Sequence, residues 1–223
     1  MLKRISTSLH HVQDEFRGEV EANWKVVVEN SLEGYHVPAV HANTFMEVEG
    51  MEVEAGNPPE DHLGHPLHSA MTHPANKAWL ARFARTEKKI GTWPWRFEHY
   101  FHRLIFPNLT ITSFMGYSFH VQSFEPTASE KTTVHSRTIG VKFDQQGPIG
   151  AKMIERMYAD GHAFTKRVFA EDGGICARVQ AGVRQALRPA VIGAGVEDRV
   201  AHFHRAYMSQ SAAAEASRAG ARA

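Results

Sequence analysis

A chain of 223 residues, 43% of them hydrophobic, can bury one sizeable core, so one large domain is a more economical interpretation than two small ones. The 25 basic and 24 acidic residues leave a net charge of +1, which gives no reason to expect nucleic acid or an anionic membrane as a partner. No apolar run approaches membrane-spanning length, and the first residues lack the apolar core of a signal peptide, so we expect a cytoplasmic protein.

The first 15 residues are polar with a weak pattern, and we interpret them as a lead-in to one domain over residues 16–208. From Trp24 to Tyr35, apolar side chains recur at the spacing of a helix that lays one face on a core. Asn30, Glu33 and His36 fall on a neighbouring face of this predicted helix. Because Glu33 and His36 are about 60° apart around its axis, the acid and the imidazole are expected to point the same way.

A pair of histidines follows at a spacing that suits a metal site. Pro38 cannot continue the helical hydrogen bonds, so the chain is expected to turn there and to bring His41 back towards His36. Two imidazoles arranged in this way can share a metal ion. With 15 histidines in the chain, however, roughly one His-x4-His pair is expected by chance, and His68 and His73 form a second one. Surface or hydrogen-bonded core histidines therefore remain an alternative.

The next stretch is irregular and is followed by a short helix. Residues 43–74 are rich in Pro, Gly and His, and they read as a long loop or lid with a short strand near Met46 to Val53. Helix-forming residues with an i, i+4 aromatic pair then predict a helix from Ala75 to Lys88.

The middle of the chain has the pattern of an antiparallel sheet. Apolar and polar residues alternate from Trp93 to Phe101, which is the period of a strand. Leu104 to Phe114 and Tyr117 to Phe124 are rich in β-branched and aromatic residues and meet at Met115-Gly116, where we predict a hairpin turn. Lys131 to Phe143 supplies a further strand, so a meander of at least four strands is expected.

The last third is helical, and Asp172 lies within one of its apolar stripes. A carboxylate in that position needs an arginine, helix-end N–H groups or a metal as a partner. The adjacent Gly173-Gly174 weakens the helix and suits a kink or a π-bulge at a site. The alternative is a surface acid at a junction of two helices that the glycines cap. We predict that residues 209–223 form a disordered tail. The stripe consists of Phe164, Val168, Asp172, Ile175 and Val179.

Taken together, these features resemble the catalytic domain of Rieske-type non-haem iron oxygenases, which comprise the ring-hydroxylating oxygenase α subunits and their quaternary-ammonium-oxidising relatives. The matching motifs span about residues 15–210 in the family's order. They are NWKVVVEN with Glu33, Tyr35-His36 and His41, then FPNLTIT at Phe106 to Thr112, AEDGGICARVQAGV at Ala170 to Val183, and EDRVAHFHRAY at Glu197 to Tyr207.

The resemblance implies a fold and a site. The fold is a helix-grip (START/Bet v 1-like) α+β domain, in which a curved antiparallel sheet packs on a long C-terminal helix. His36, His41 and Asp172 are implied as the ligands of a mononuclear Fe(II), with the remaining coordination positions open for dioxygen and water. Glu33 and Asn30 are assigned catalytic roles: Glu33 corresponds to the acid that links the iron to the cluster of a neighbouring subunit and orients a ligand histidine.

The resemblance also implies a reaction and its partners. The expected enzyme is a mono- or dioxygenase that hydroxylates an aromatic ring or a quaternary ammonium or methyl group with dioxygen. Family members carry an N-terminal Rieske [2Fe-2S] domain, which needs two cysteines, whereas Cys176 is the one cysteine of this chain. Either the chain is an excised or naturally shortened catalytic domain, or its electrons come from another polypeptide. The cluster is expected in trans, from an electron-donating Rieske protein or reductase, and a homotrimer is possible in this family.

Two features leave the assignment open. Glu33 stands where ring dihydroxylases usually carry aspartate, which favours the quaternary-ammonium branch. The aromatic residues of the middle segment suit either a cage around such a cation or a simple hydrophobic core. They are Trp93, Trp95, Phe97, Tyr100 and Phe101. The alternatives to an oxygenase are a non-catalytic ligand-binding or accessory domain of the same fold and a zinc hydrolase that uses the same three ligands.

Overall fold

One antiparallel sheet and two long helices dominate the computed structural model, which describes residues 6–7, 9–48, 59–144 and 147–220. The strands are β1 (Leu9–Val20), β2 (Glu60–His62), β3 (Ser69–Pro74), β4 (His99–Ile105), β5 (Leu109–Phe114), β6 (Ser118–Ala128) and β7 (Lys131–Val141). The helices are α1 (Trp24–Leu32), α2 (Val37–Val40), α3 (Lys77–Ile90), α4 (Pro148–Arg184) and α5 (Asp198–Gly220), with a 3-10 turn at Phe45–Glu47. None of the described helices is both long and apolar enough to cross a membrane.

The strands of the described chain run in the order β1-β7-β6-β5-β4-β3-β2. Helix α4 crosses one face of the curved sheet: a Cβ on Gly18 of β1 would lie 2.3 Å from the Phe169 ring, and one on Gly140 of β7 would lie 2.7 Å from the Tyr158 hydroxyl. This arrangement confirms the predicted α+β helix-grip fold. Residues 9–15, interpreted as a lead-in, form the first half of β1 and pair with β7.

The buried hydrophobic residues form two clusters. The first joins α1, α4 and α5 to the sheet through Val28, Cys176 and Phe203. The second contains Trp93 and Phe101, which are 6% and 0% exposed, together with residues from α3 and the start of α4. Trp93 and Phe101 are therefore core residues, and they do not form the cation cage that their alternation also allowed.

Helix α1 is shorter than predicted. It ends at Leu32, and Glu33 has an extended backbone with φ −104° and ψ 161°. The Glu33 carboxylate accepts a hydrogen bond from the backbone N–H of His36 at 3.3 Å, which stabilises a turn in place of further helix. The expected contact between Glu33 and His36 is present. It is formed by a turn, whereas the sequence predicted that both residues lie on one face of a helix.

The strand boundaries also differ from the sequence-based expectation. The stretch from Trp93 becomes a strand only at His99, because Trp95 adopts a left-handed conformation with φ 68° and turns the chain. A turn at residues 106–108 divides the segment predicted as one strand from Leu104 to Phe114. Near Met46 the described chain forms a 3-10 turn, and the rest of the predicted strand there lies outside the described residues.

Other predicted elements are present. Helix α3 and strand β7 match their predicted segments within two residues at each end. The predicted hairpin between β5 and β6 turns at Met115-Gly116, where both residues have positive φ. Helix α4 runs through Gly173-Gly174 as a continuous α-helix, so the π-bulge and the helix junction considered there are absent. Residues 209–220, for which we expect a disordered tail, continue α5.

At Gly150 the backbone of α4 lies close to the end of α3. A Cβ at this position would lie 2.1 Å from the backbone carbonyl oxygen of Lys89, which cannot move aside as a side chain can. We expect Gly150→Ala to lower the free energy of unfolding by about 2 to 3 kcal/mol, measured by urea denaturation. Gly174→Ala is the matched control in the same helix, since nothing lies within 4 Å of its Cβ position. This control is expected to stabilise the protein by about 1 kcal/mol. Equal effects of the two substitutions would contradict the close approach.

Candidate metal centre

Two neighbouring histidines and an aspartate that is distant from them in the sequence converge on one point. His36 Nε2 and His41 Nε2 lie 3.5 and 3.0 Å from Asp172 Oδ1, and one ligand atom from each residue lies within 4.8 Å of the others. His36 and His41 sit at the two ends of the four-residue helix α2, whose first turn contains Pro38. The short helix therefore presents both imidazoles to α4, which carries Asp172.

The first histidine is held by a carboxylate on its other ring nitrogen. Glu33 contacts His36 Nδ1 and also accepts a hydrogen bond from the His36 backbone N–H. The side chain of Glu33 is 8% exposed, so this contact is shielded from water. With Nδ1 engaged in this way, Nε2 is the nitrogen left to face Asp172.

The second histidine has an equivalent support that the sequence did not reveal. Glu171 Oε2 lies 2.7 Å from His41 Nδ1 and accepts a hydrogen bond from the Thr44 hydroxyl at 2.7 Å. His41 thus stands between two successive acids of α4, with Nδ1 towards Glu171 and Nε2 towards Asp172. Neighbouring helical residues point about 100° apart, so helical geometry alone does not predict that Glu171 and Asp172 serve one imidazole.

Asn30 also reaches the centre. Its side-chain amide donates a hydrogen bond of 2.8 Å to Asp172 Oδ1 from helix α1. The structure therefore brings together all five residues singled out in the sequence, and it places Asn30 and Glu33 against candidate ligands. Both residues contact the side chains that surround the convergence point.

Protons on the imidazoles offset part of the negative charge in the cluster. Burial opposes the charged form of Asp172, yet hydrogen bonds from His36, His41 and Asn30 outweigh it and lower its pKa to about 2. Burial likewise opposes a charged His36, but Asp172 and Glu33 raise its pKa to about 9. A divalent cation satisfies the same carboxylate in place of these protons. Two imidazoles and one carboxylate on one face are a donor set that fits Fe(II) and also zinc.

The support of His41 can be tested directly. Glu171→Ala is expected to weaken Fe(II) binding by roughly 10- to 100-fold, because the His41 ring loses the group that fixes its orientation. Glu171→Gln, which keeps an oxygen acceptor, is expected to lose much less. Anaerobic titration with Fe(II) against a chromophoric chelator measures both affinities. Glu155→Ala, an exposed acid on the same helix, serves as the control. An affinity for Glu171→Ala within twofold of the unmodified protein would show that His41 does not depend on Glu171.

The fold and this triad define a class of domain, a helix-grip sheet with a candidate 2-His-1-carboxylate centre on its long helix. A family model described as "Ring hydroxylating alpha subunit (catalytic domain)" matches residues 6–213. The chain belongs to this family. No curated protein matches it in sequence.

Solved structures of the same fold include three kinds of oxygenase. The quaternary ammonium Rieske monooxygenase CntA in complex with an inhibitor has a TM-score of 0.65 and 16% identity, covering 93% of this chain and 53% of that one. Dicamba monooxygenase bound to 3,6-dichlorosalicylic acid has a TM-score of 0.57 and 14% identity, covering 89% and 60%. Naphthalene 1,2-dioxygenase from Rhodococcus sp. bound to indole has a TM-score of 0.55 and 16% identity, covering 90% and 56%. The chain thus spans little more than half of each of these structures.

Proposed function

We propose that this chain is the catalytic domain of a Rieske-type oxygenase that hydroxylates an organic substrate with dioxygen and externally supplied electrons. The observation that carries the proposal is the convergence of His36, His41 and Asp172, with one ligand atom from each within 4.8 Å, inside the fold of the ring-hydroxylating family. These three residues would hold a mononuclear Fe(II), which supplies the activation of dioxygen when it is bound.

The surrounding side chains orient the ligands. Glu33 and Glu171 each engage Nδ1 of one histidine, so both Nε2 atoms are directed inwards. Asn30 fixes the Asp172 carboxylate by its 2.8 Å hydrogen bond. The resemblance gives Glu33 the further role of linking this centre to an electron-donating cluster, and its position beside His36 supports that role.

The electrons are proposed to come from a second polypeptide or a neighbouring subunit. Cys176, the one cysteine of the sequence, is buried in the core. We propose that the [2Fe-2S] cluster belongs to a Rieske domain outside these 223 residues, which is served by a reductase, and a homotrimer is the assembly that the family suggests. The similar structures carry carnitine, dicamba and indole as ligands, so ring hydroxylation and methyl-group oxidation are both candidate reactions.

Reconstitution tests the proposal. The Fe(II)-loaded chain, combined with a Rieske protein, a reductase and NADH, is expected to consume dioxygen in step with hydroxylated product from indole or a betaine. Asp172→Ala is expected to abolish the coupled consumption. Turnover that requires dioxygen would rule out the zinc hydrolase. Fe(II) binding without any turnover across several Rieske donors would favour a non-catalytic ligand-binding domain.

A further inference from the structure

A row of polar side chains crosses the face of the sheet that α4 covers. Gly140 of β7 faces α4, since a Cβ there would meet Tyr158. Thr138 lies two residues earlier on the same strand and therefore on the same face. It pairs with His120 of β6, which in turn pairs with Thr112 of β5. Directly paired residues share a face, so all three side chains point towards α4.

His120 has one hydrogen-bonding atom to spare. Its Nδ1 lies 3.0 Å from the Thr138 hydroxyl, and within the described chain no hydrogen bond reaches its Nε2. Nε2 of His73 and Nε2 of His202 are fully buried without a hydrogen-bond partner. Nε2 of His120 is not among these fully buried atoms, so it keeps some solvent-accessible surface. Burial lowers the pKa of His120 to about 4, which keeps the ring neutral at physiological pH. A neutral, accessible imidazole nitrogen inside a protein is a group that hydrogen-bonds a ligand.

The row leads back towards the candidate metal centre. Tyr100 of β4 shares a hydrogen bond with the Thr112 side chain, and burial raises the pKa of Tyr100 to about 12. The negative charge of Asp172 contributes to that rise. On the helix side, Phe45 packs on both His41 and Phe164 and supplies apolar surface next to the centre.

The chemistry of the row defines the ligand that it suits. Tyr100, Thr112, His120 and Thr138 all carry hydrogen-bonding groups without charge. A cation is disfavoured, because the buried guanidinium of Arg199 bonds to His102 on the same face of β4 and its charge reaches Tyr100. Four of the five aromatic residues considered for a cation cage belong to the hydrophobic core or pack against it, which leaves Tyr100 alone and no cage.

We propose that Tyr100, Thr112, His120 and Thr138, here called the polar row, bind the oxygen substituent of an uncharged substrate, a hydroxyl or carbonyl group on an apolar ring. The apolar body of that substrate would lie against Phe45 and Phe164, with the reacting carbon towards His36, His41 and Asp172. This inference rests on the proposed function for its reaction, but its binding arm can be measured without turnover.

The test uses four probes that share one ring system: naphthalene, 2-naphthol, 2-naphthoate and 2-naphthyltrimethylammonium. Their affinities are measured by fluorescence titration against the full chain, both metal-free and loaded with Zn(II). We expect 2-naphthol to bind roughly tenfold more tightly than the other three probes, because one added hydrogen bond increases the affinity by about that factor. In His120→Leu this preference is expected to fall to within twofold.

Two variants act as controls. His135→Leu changes a histidine on the opposite face of β7, where it pairs with Glu125, and should leave the preference intact. Thr138→Val preserves side-chain shape and should reduce the preference at least threefold, so it decides the matter if His120→Leu does not fold.

The outcomes separate this inference from the proposed function. A 2-naphthol preference that survives in His120→Leu overturns the inference, as does a wild-type protein that prefers the carboxylate or the ammonium probe or binds none of the four. If the preference is lost as expected while reconstituted turnover is absent, the polar row stands as a binding surface and the oxygenase proposal fails.

Discussion

Replacing both His36 and His41 by alanine is expected to abolish Fe(II) binding. The two imidazoles supply two of the three converging ligand atoms, and a lone carboxylate at Asp172 retains little affinity for Fe(II) at neutral pH. After anaerobic loading and desalting, the unmodified chain is expected to hold about one iron per molecule and the double variant less than about a tenth of that. Elemental analysis by mass spectrometry measures the ratio.

A matched pair of histidines controls for adventitious binding. His10 and His11 are adjacent and exposed on β1, so His10→Ala, His11→Ala removes the same number of imidazoles away from the site. This control is expected to keep its full iron content. Wild-type-like iron retention in the His36, His41 double variant would place the iron elsewhere and remove the basis of the proposed function.

Asp172→Asn tests whether the carboxylate charge matters as much as its position. The amide has the same shape and can still accept the hydrogen bond from Asn30, but it offers a divalent cation no negative charge. One unit charge at close range in a partly buried site contributes several kcal/mol, so Fe(II) affinity is expected to fall roughly 100-fold or more. Competition against a chelator of known affinity measures the loss.

Asp160→Asn provides the comparison on the same helix. Asp160 is exposed and pairs with Arg156, so its neutralisation alters the charge of α4 without touching the centre. Its Fe(II) affinity is expected to stay within about twofold of the unmodified chain, since exposed charges are screened by water and salt. An Asp172→Asn variant that binds Fe(II) as tightly as Asp160→Asn would show that Asp172 is not a ligand.

The candidate ligands were predicted through the family resemblance, because the patterns in the residues pointed to them without excluding a chance pair of histidines or a surface acid. Pro38 stops a helix wherever that helix began, and a carboxylate on an apolar stripe needs a partner whatever that partner is. The detail between them could not be predicted. Glu33 leaves the helix one residue after Leu32 because its side chain bonds to the backbone of His36, a local competition that periodicity does not register.

Supporting residues were harder to predict than ligands. Glu171 precedes Asp172 in a helix, and its contact with His41 depends on where α2 docks against α4, which is a property of the tertiary structure. The strand predicted from Trp93 failed for a similar reason: alternation of apolar residues is shared by strands and by turns that bury every second side chain. The left-handed backbone at Trp95 makes this segment a turn.

The order of the helices and strands could be predicted, but the residues at which they begin and end could not. Antiparallel strands followed by a long helix imply a sheet packed on that helix, and the fold has this arrangement. Strand β1 was missed because its burial alternates only from Glu15 to Val20, and one of the inward positions there is Gly18, which contributes no apolar side chain to the pattern.

Anomalous diffraction at the iron edge, from crystals grown anaerobically with Fe(II), tests the central claim most directly. We expect a single strong peak, from an iron bonded by Nε2 of His36, Nε2 of His41 and a carboxylate oxygen of Asp172. A stoichiometric iron whose peak lies away from these three residues would contradict it.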